Sequence, residues 1–114
     1  MILGRVIGTI WATRKDEKLE GLKLQVVEQV SLDFKPQGTF VVAVDAVEAG
    51  VGEIVLVAQG SSARQTNQTK DKPVDAVIMA IVESMDLLDE RELARLYEER
   101  RKVVAERLRI QPEI

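Results

Sequence analysis

Two periodicities divide the chain. Up to about Val82, apolar residues recur at every second position or in short unbroken runs. From Asp89 onward they recur at every third or fourth. Period two marks β-strands with alternating faces, and a period near 3.6 marks an amphipathic helix. The first strand-like run is Ile2 to Trp11, with Ile2, Val6 and Ile10 on one face and Leu3, Ile7 and Trp11 on the other. Gly4 and Gly8 share the face of Ile2. That spacing has two readings, a strongly bent barrel strand or close packing by a neighbour.

Leu22 to Val30 alternates, which predicts Leu22, Leu24 and Val26 inward and Lys23 and Gln25 outward. A third strand places Phe40, Val42, Val44 and Ala46 on one face and Asp45 on the other. A carboxylate at that strand end suits a turn or inter-strand acceptor better than catalysis. Ile54 to Ala58 and Val74 to Val82 complete five strands, the last so continuously apolar that both its faces must be covered. Between them Gln65 to Lys72 is wholly polar and predicts an exposed, mobile loop.

Short strands with Gly- and Pro-marked turns predict a mainly β fold, a small five-stranded OB-like barrel of Greek-key type. Strands apolar on both faces then require other subunits to cover part of the barrel's outside. The tail is different. Asp89 with Glu92 resembles a capping box, and Asp89 through Leu108 contains neither Gly nor Pro, so a helix is predicted there. Its stripe of Leu93, Leu96, Tyr97, Val103, Val104 and Leu108 needs a cover. The division expected is a barrel over 1–84 and a C-terminal helical extension over 85–114.

Composition narrows the function. The chain has 114 residues, 46% apolar and 31% charged, enough for one cored domain. A net charge of −3 removes the basic footprint of a nucleic-acid binder. There is no Cys, hence no disulfide and no thiol nucleophile. There is no His, which removes the commonest general base and metal ligand together. No run is long enough to span a membrane, and Met1 to Arg5 lacks the order of a signal peptide, so a cytoplasmic location is expected.

Candidate chemistry fails residue by residue. Gly60-Ser-Ser-Ala-Arg64 follows a strand but lacks the second Gly and the Lys-Ser/Thr of a phosphate loop. It also lacks the closing Gly of a nucleophile elbow, and nothing activates Ser61 or Ser62. Asp45, Glu48, Glu53 and Asp75 show no pairing suited to acid–base hydrolysis. Trp11, Phe34, Phe40 and Tyr97 are too scattered to form a base-stacking platform. The reading is non-enzymatic, with no cofactor, metal or nucleic acid; the alternative is a small OB-like module binding oligonucleotide or another ligand.

Five segments in order resemble the EutN/CcmL vertex family of bacterial microcompartment shell proteins. They are Gly4-Arg-Val-Ile-Gly-Thr9; Leu19-Glu-Gly-Leu-Lys-Leu24; Ala43-Val-Asp45 with Ala49-Gly-Val-Gly-Glu53; Val55-Leu-Val57 with Gly60-Ser-Ser-Ala-Arg64; and Pro73-Val-Asp-Ala76. The resemblance implies a homopentamer that plugs the vertices of a polyhedral shell whose facets are hexameric proteins. It makes Gly50, Gly52, Glu53, Gly60, Ser61, Ser62, Ala63 and Arg64 the expected lining of the subunit contact and axis, with Arg64 donating across the junction. The helical tail departs from the family pattern. It either packs on a barrel or docks facets or luminal cargo.

Overall fold

The computed structural model describes residues 1–107; Leu108, the last member of the predicted stripe, and the rest of the tail lie outside the described residues. Five strands form: β1 (Ile2–Ile10), β2 (Leu24–Val30), β3 (Pro36–Asp45), β4 (Ile54–Gln59) and β5 (Ala76–Ile81). They close into a barrel in the order β1-β2-β3-β5-β4. Every pairing is antiparallel except β3 with β5, which is parallel over only Val44↔Val77 and Asp45↔Ile78. The predicted barrel is the fold found.

A five-stranded barrel has a narrow interior, and this one is filled by small branched side chains. Val6, Val27, Ala43, Val55, Val57, Ala76 and Ile78 pack with Ala49 into one cluster. A second cluster joins Val44, Ala58 and Val77 to Ala63. By strand parity these three strand residues point outward, and Ala63 belongs to the 3-10 turn Gly60–Arg64 that follows β4. The chain's own turn therefore covers part of the outside that the sequence reading assigned to other subunits.

Strand phase also corrects the sequence reading. In β2 it is Gln25 and Val27 that point inward, while Leu24 and Val26 occupy the partly covered outer face. The inversion has a cause in hydrogen bonding. Gln25, 1% exposed, satisfies its amide inside the barrel, so period two must turn its apolar neighbours outward. In β3, Val41 and Ala43 face the core and Phe40 and Val42 are exposed. The two glycines of β1 part company as well. A Cβ on Gly4 would collide with Val27 and lie 3.0 Å from the Glu28 carbonyl, whereas one on Gly8 would meet nothing within 4 Å. The register shift between Val6 and Gly8 separates their environments.

The polar segment before β5 is more structured than its composition suggests. Thr66 and Thr69 exchange backbone-to-hydroxyl hydrogen bonds of 3.2 and 3.1 Å, and their hydroxyls lie 2.6 Å apart. Thr69 in that pairing is completely buried, the exception in a segment whose Gln65, Asn67, Gln68, Lys70 and Asp71 are exposed as expected.

Contacts divide the chain into a unit of Met1–Glu83 and a second beginning at Ser84. The second contains helix α1 (Glu90–Arg107). Asp89 caps it, its Oδ1 accepting from the Glu92 amide at 2.7 Å.

Candidate subunit-interface site

The two glycine segments singled out from the sequence flank opposite ends of β4. Six residues of strand separate them by about 20 Å, so one barrel does not bring them together. Gly50, Gly52, Glu53, Gly60, Ser61, Ser62 and Arg64 are all exposed. Ala63 is fully buried in its own chain's second cluster, and its side chain is not available to another copy.

The first segment is held by a network rooted in Asp45, whose side chain is fully buried. Its Oδ1 accepts from the amides of Val47 and Ala49, both at 3.1 Å. Its Oδ2 accepts from Gln25 Nε2 at 3.3 Å and lies 3.9 Å from Lys23 Nζ. Gln25 Nε2 also donates to the Ala49 carbonyl at 3.0 Å, and Gln25 Oε1 accepts from Thr9 at 2.6 Å. Asp45 is thus the turn acceptor its position suggested. Gln25 is the member that sequence reasoning missed, because the alternation of β2 placed it outside.

The tip of this segment is tied to β1. Gly52 donates to the Val6 carbonyl at 2.7 Å, Val6 donates to Glu53 at 3.0 Å, and Arg5 Nη1 donates to the Gly52 carbonyl at 2.7 Å. Gly50 donates to the Glu53 carboxylate at 2.6 Å. Gly52 has φ +95°, in the left-handed region that glycine adopts without strain, and a Cβ there would meet nothing within 4 Å. The result is a stiff exposed loop with a smooth tip.

The second segment turns sharply at Gly60, φ +70°, which donates to the Asp75 carbonyl at 2.7 Å. Arg64 Nη1 donates to the Val74 carbonyl of its own chain at 3.2 Å. The Ser61 and Ser62 side chains stay at the surface.

Two apolar faces on the outside of the barrel complete the picture, and neither was read from the sequence as a face. On β1-β2-β3, Gly8, Val26 and Val42 lie abreast, with Phe40 one pair along opposite Glu28. On β1-β4-β5, Leu3, Leu56 and Ala80 lie abreast, with exposed Met79 beside them at a register shift. The signal for both was present in strands apolar on each side. Their separation became visible only with the strand order.

A groove of about 470 Å³ at one barrel end is lined by Leu22, Lys23, Asp45, Val47 and Glu48, among others. Two carboxylates against one ammonium give it the wrong sign for a phosphate backbone. Among the described residues no cluster of His, Cys, Asp and Glu could hold a metal ion. No described helix is long and apolar enough to cross a membrane.

Comparison with known proteins follows the barrel. The family described as "Ethanolamine utilisation protein EutN/carboxysome" matches residues 1–83. The bacterial microcompartment shell vertex protein GrpN of Rhodospirillum rubrum is 44% identical over 89 residues, covering 78% of this chain and all of that one. Its solved structure, described as a pentameric microcompartment shell protein, superposes with a TM-score of 0.70 over 77% of this chain and 100% of that one. The solved CcmL of Nostoc sp. PCC 7120 is 37% identical, with a TM-score of 0.74 over 77% of this chain and 95% of that one.

Proposed function

This chain belongs to the EutN/CcmL family, and from that premise we propose that it is a structural shell protein, a homopentamer capping the vertices of a bacterial microcompartment in the cytoplasm. It acts by geometry. A flat layer of hexamers closes into a polyhedron only where some positions have five-fold symmetry, so a ring of five supplies what the facet proteins lack. No bond is made or broken by this protein.

One observation carries the reading: the single barrel leaves two different apolar faces at its surface, around Val26–Val42 and around Leu3–Leu56. A closed cyclic ring is built from heterologous contacts, in which two unlike patches of one subunit meet. An isologous dimer needs only one such patch. The stiff loops carrying Gly50, Gly52 and Glu53, and Gly60, Ser61, Ser62 and Arg64, border these faces and line the junction and axis in the ring. Arg64 adds a donor fork at that border.

The test is assembly with and without facet protein. The purified chain is expected to run as five protomers, and co-expression with hexameric facet proteins is expected to give closed polyhedral shells in place of open sheets or tubes. Rings that leave the facet assemblies open would overturn the proposal.

A further inference from the structure

Phe34 stands in a backbone conformation that its residue type avoids. The connection between β2 and β3 is a short hairpin loop, Leu32 to Phe34, closed by the Ser31 amide donating to the Lys35 carbonyl at 3.0 Å and the Phe34 amide donating to the Ser31 carbonyl at 2.9 Å. A loop of this form ends on a residue in the left-handed region, where glycine or asparagine sits with little strain. Phe34 occupies that position with φ +64°. For a bulky side chain this is an outlier, and it lowers the stability of the fold. Burial does not fully account for it. Phe34 remains 39% exposed, with Leu32 of the same loop 63% and Phe40 of β3 58% exposed.

The polar groups of the loop need no outside partner. Ser31 Oγ accepts from the Lys35 amide at 3.2 Å and donates to the Asp33 carboxylate, and Lys35 Nζ pairs with Asp33 at 3.4 Å. Further along β3 the Gly38 amide donates to Glu28 at 3.1 Å. A partner therefore has no charge to match, and the exposed Asp33–Lys35 pair stays at the rim while the apolar side chains lose water. The place of the loop selects that partner. Phe40 lies two residues from Val42 on the same outer face of β3, about 7 Å away, so whatever covers Val42 reaches Phe40 as well. The loop closes the same β2-β3 ribbon, one step beyond the pair Val30↔Pro36. It continues a face that the vertex reading already gives to the next protomer. A heterologous contact meets an unlike patch of the same chain, and the row Leu3–Leu56–Ala80, with exposed Met79 beside it, is such a patch and carries no charge.

We propose that the Leu32–Phe34 loop is an assembly arm: Phe34, with Leu32 and Phe40, seats on the β1-β4-β5 face of the next protomer, against Leu3, Leu56 and Met79. The inference rests on the vertex reading and adds to it a trade between two stabilities. Relaxing Phe34 removes the strain of one barrel and a contact of the ring together.

Two experiments test this. In the first, Phe34→Asn and Phe34→Gly are diluted and followed by native mass, and the same substitutions are placed in a Val42→Glu background, expected to be a single protomer, and unfolded in urea. Both rings are expected to dissociate at concentrations about tenfold or more above the parent's. The single protomer is expected to keep its urea midpoint or to gain up to about 0.5 M. Far-UV circular dichroism verifies the fold of each variant. Dissociation within about threefold of the parent overturns the inference. So does a lowered urea midpoint in both single-protomer variants, which confines Phe34 to packing within its own hairpin.

In the second, Phe34→benzoylphenylalanine keeps an aromatic group in the loop and is photoactivated in rings mixed with the purified hexameric facet protein of the same shell. Crosslinks to another protomer, in peptides carrying Leu3, Leu56 or Met79, are expected. Crosslinks only within one protomer, only to the facet protein, or to the same loop of another copy overturn the inference and leave the vertex function standing. A parent chain that forms no ring removes the vertex reading itself, and is distinguished by mass alone.

Discussion

The buried contact between Gln25 and Asp45 allows a quantitative test of how the Gly50–Glu53 loop is held. Asp45→Ala removes the acceptor for the Val47 and Ala49 amides and for Gln25 Nε2. An orphaned buried donor costs about 1–3 kcal/mol, and Ala49 is buried while Val47 is partly exposed, so the expected loss is about 3–4 kcal/mol. Asp45→Asn is the sharper probe. Its Oδ1 still accepts from both amides, but its new NH₂ group faces the NH₂ group of Gln25. Flipping Gln25 only exchanges one clash for another: its oxygen would accept from the new amide but would face the Ala49 carbonyl, although the Thr9 hydroxyl could accept from the flipped nitrogen.

Asp45→Asn should therefore cost about 1–2 kcal/mol with Gln25 present, and about 1 kcal/mol less in a Gln25→Met background, where the donor clash is gone. The assay is urea unfolding by circular dichroism at one fixed protomer concentration, since an oligomer's stability depends on concentration. Asp45→Asn within about 0.5 kcal/mol of the parent in both backgrounds would refute the network as described.

Other substitutions separate the barrel from the ring. Gly4→Ala should destabilise the barrel by about 1–3 kcal/mol in the same assay, because its Cβ meets Val27 and the Glu28 backbone. Val42→Glu places a charge on an exposed outer position, so the folded spectrum should survive while light scattering shows the ring dissociating. Arg64→Ala, losing the bond to Val74 and its fork at the border, should lower the pentamer fraction on dilution; an unchanged mass at every concentration would remove Arg64 from the junction.

Much of this architecture was legible because period-two alternation and Gly/Pro punctuation act locally. The five strands and the capped helix at Asp89 follow from such signals. The errors have non-local causes. Gln25 reads as an outward residue until its partners on β1, β3 and the following loop are known, and those arrive from three separate stretches of chain. Val44 and Val77 lie on strands apolar on both faces, and what covers their outer sides is known only once the Gly60–Arg64 turn is seen folded over them. Thr69 reads as solvated because a hydroxyl pair with Thr66 leaves no trace in composition.

The account rests on the barrel being one fifth of a closed object. Native mass spectrometry of the full chain at micromolar concentration tests this most directly. A species of five times 12.7 kDa is predicted, falling to single protomers in Val42→Glu. A parent chain that remains one protomer of 12.7 kDa, with both apolar faces open to water, would contradict it.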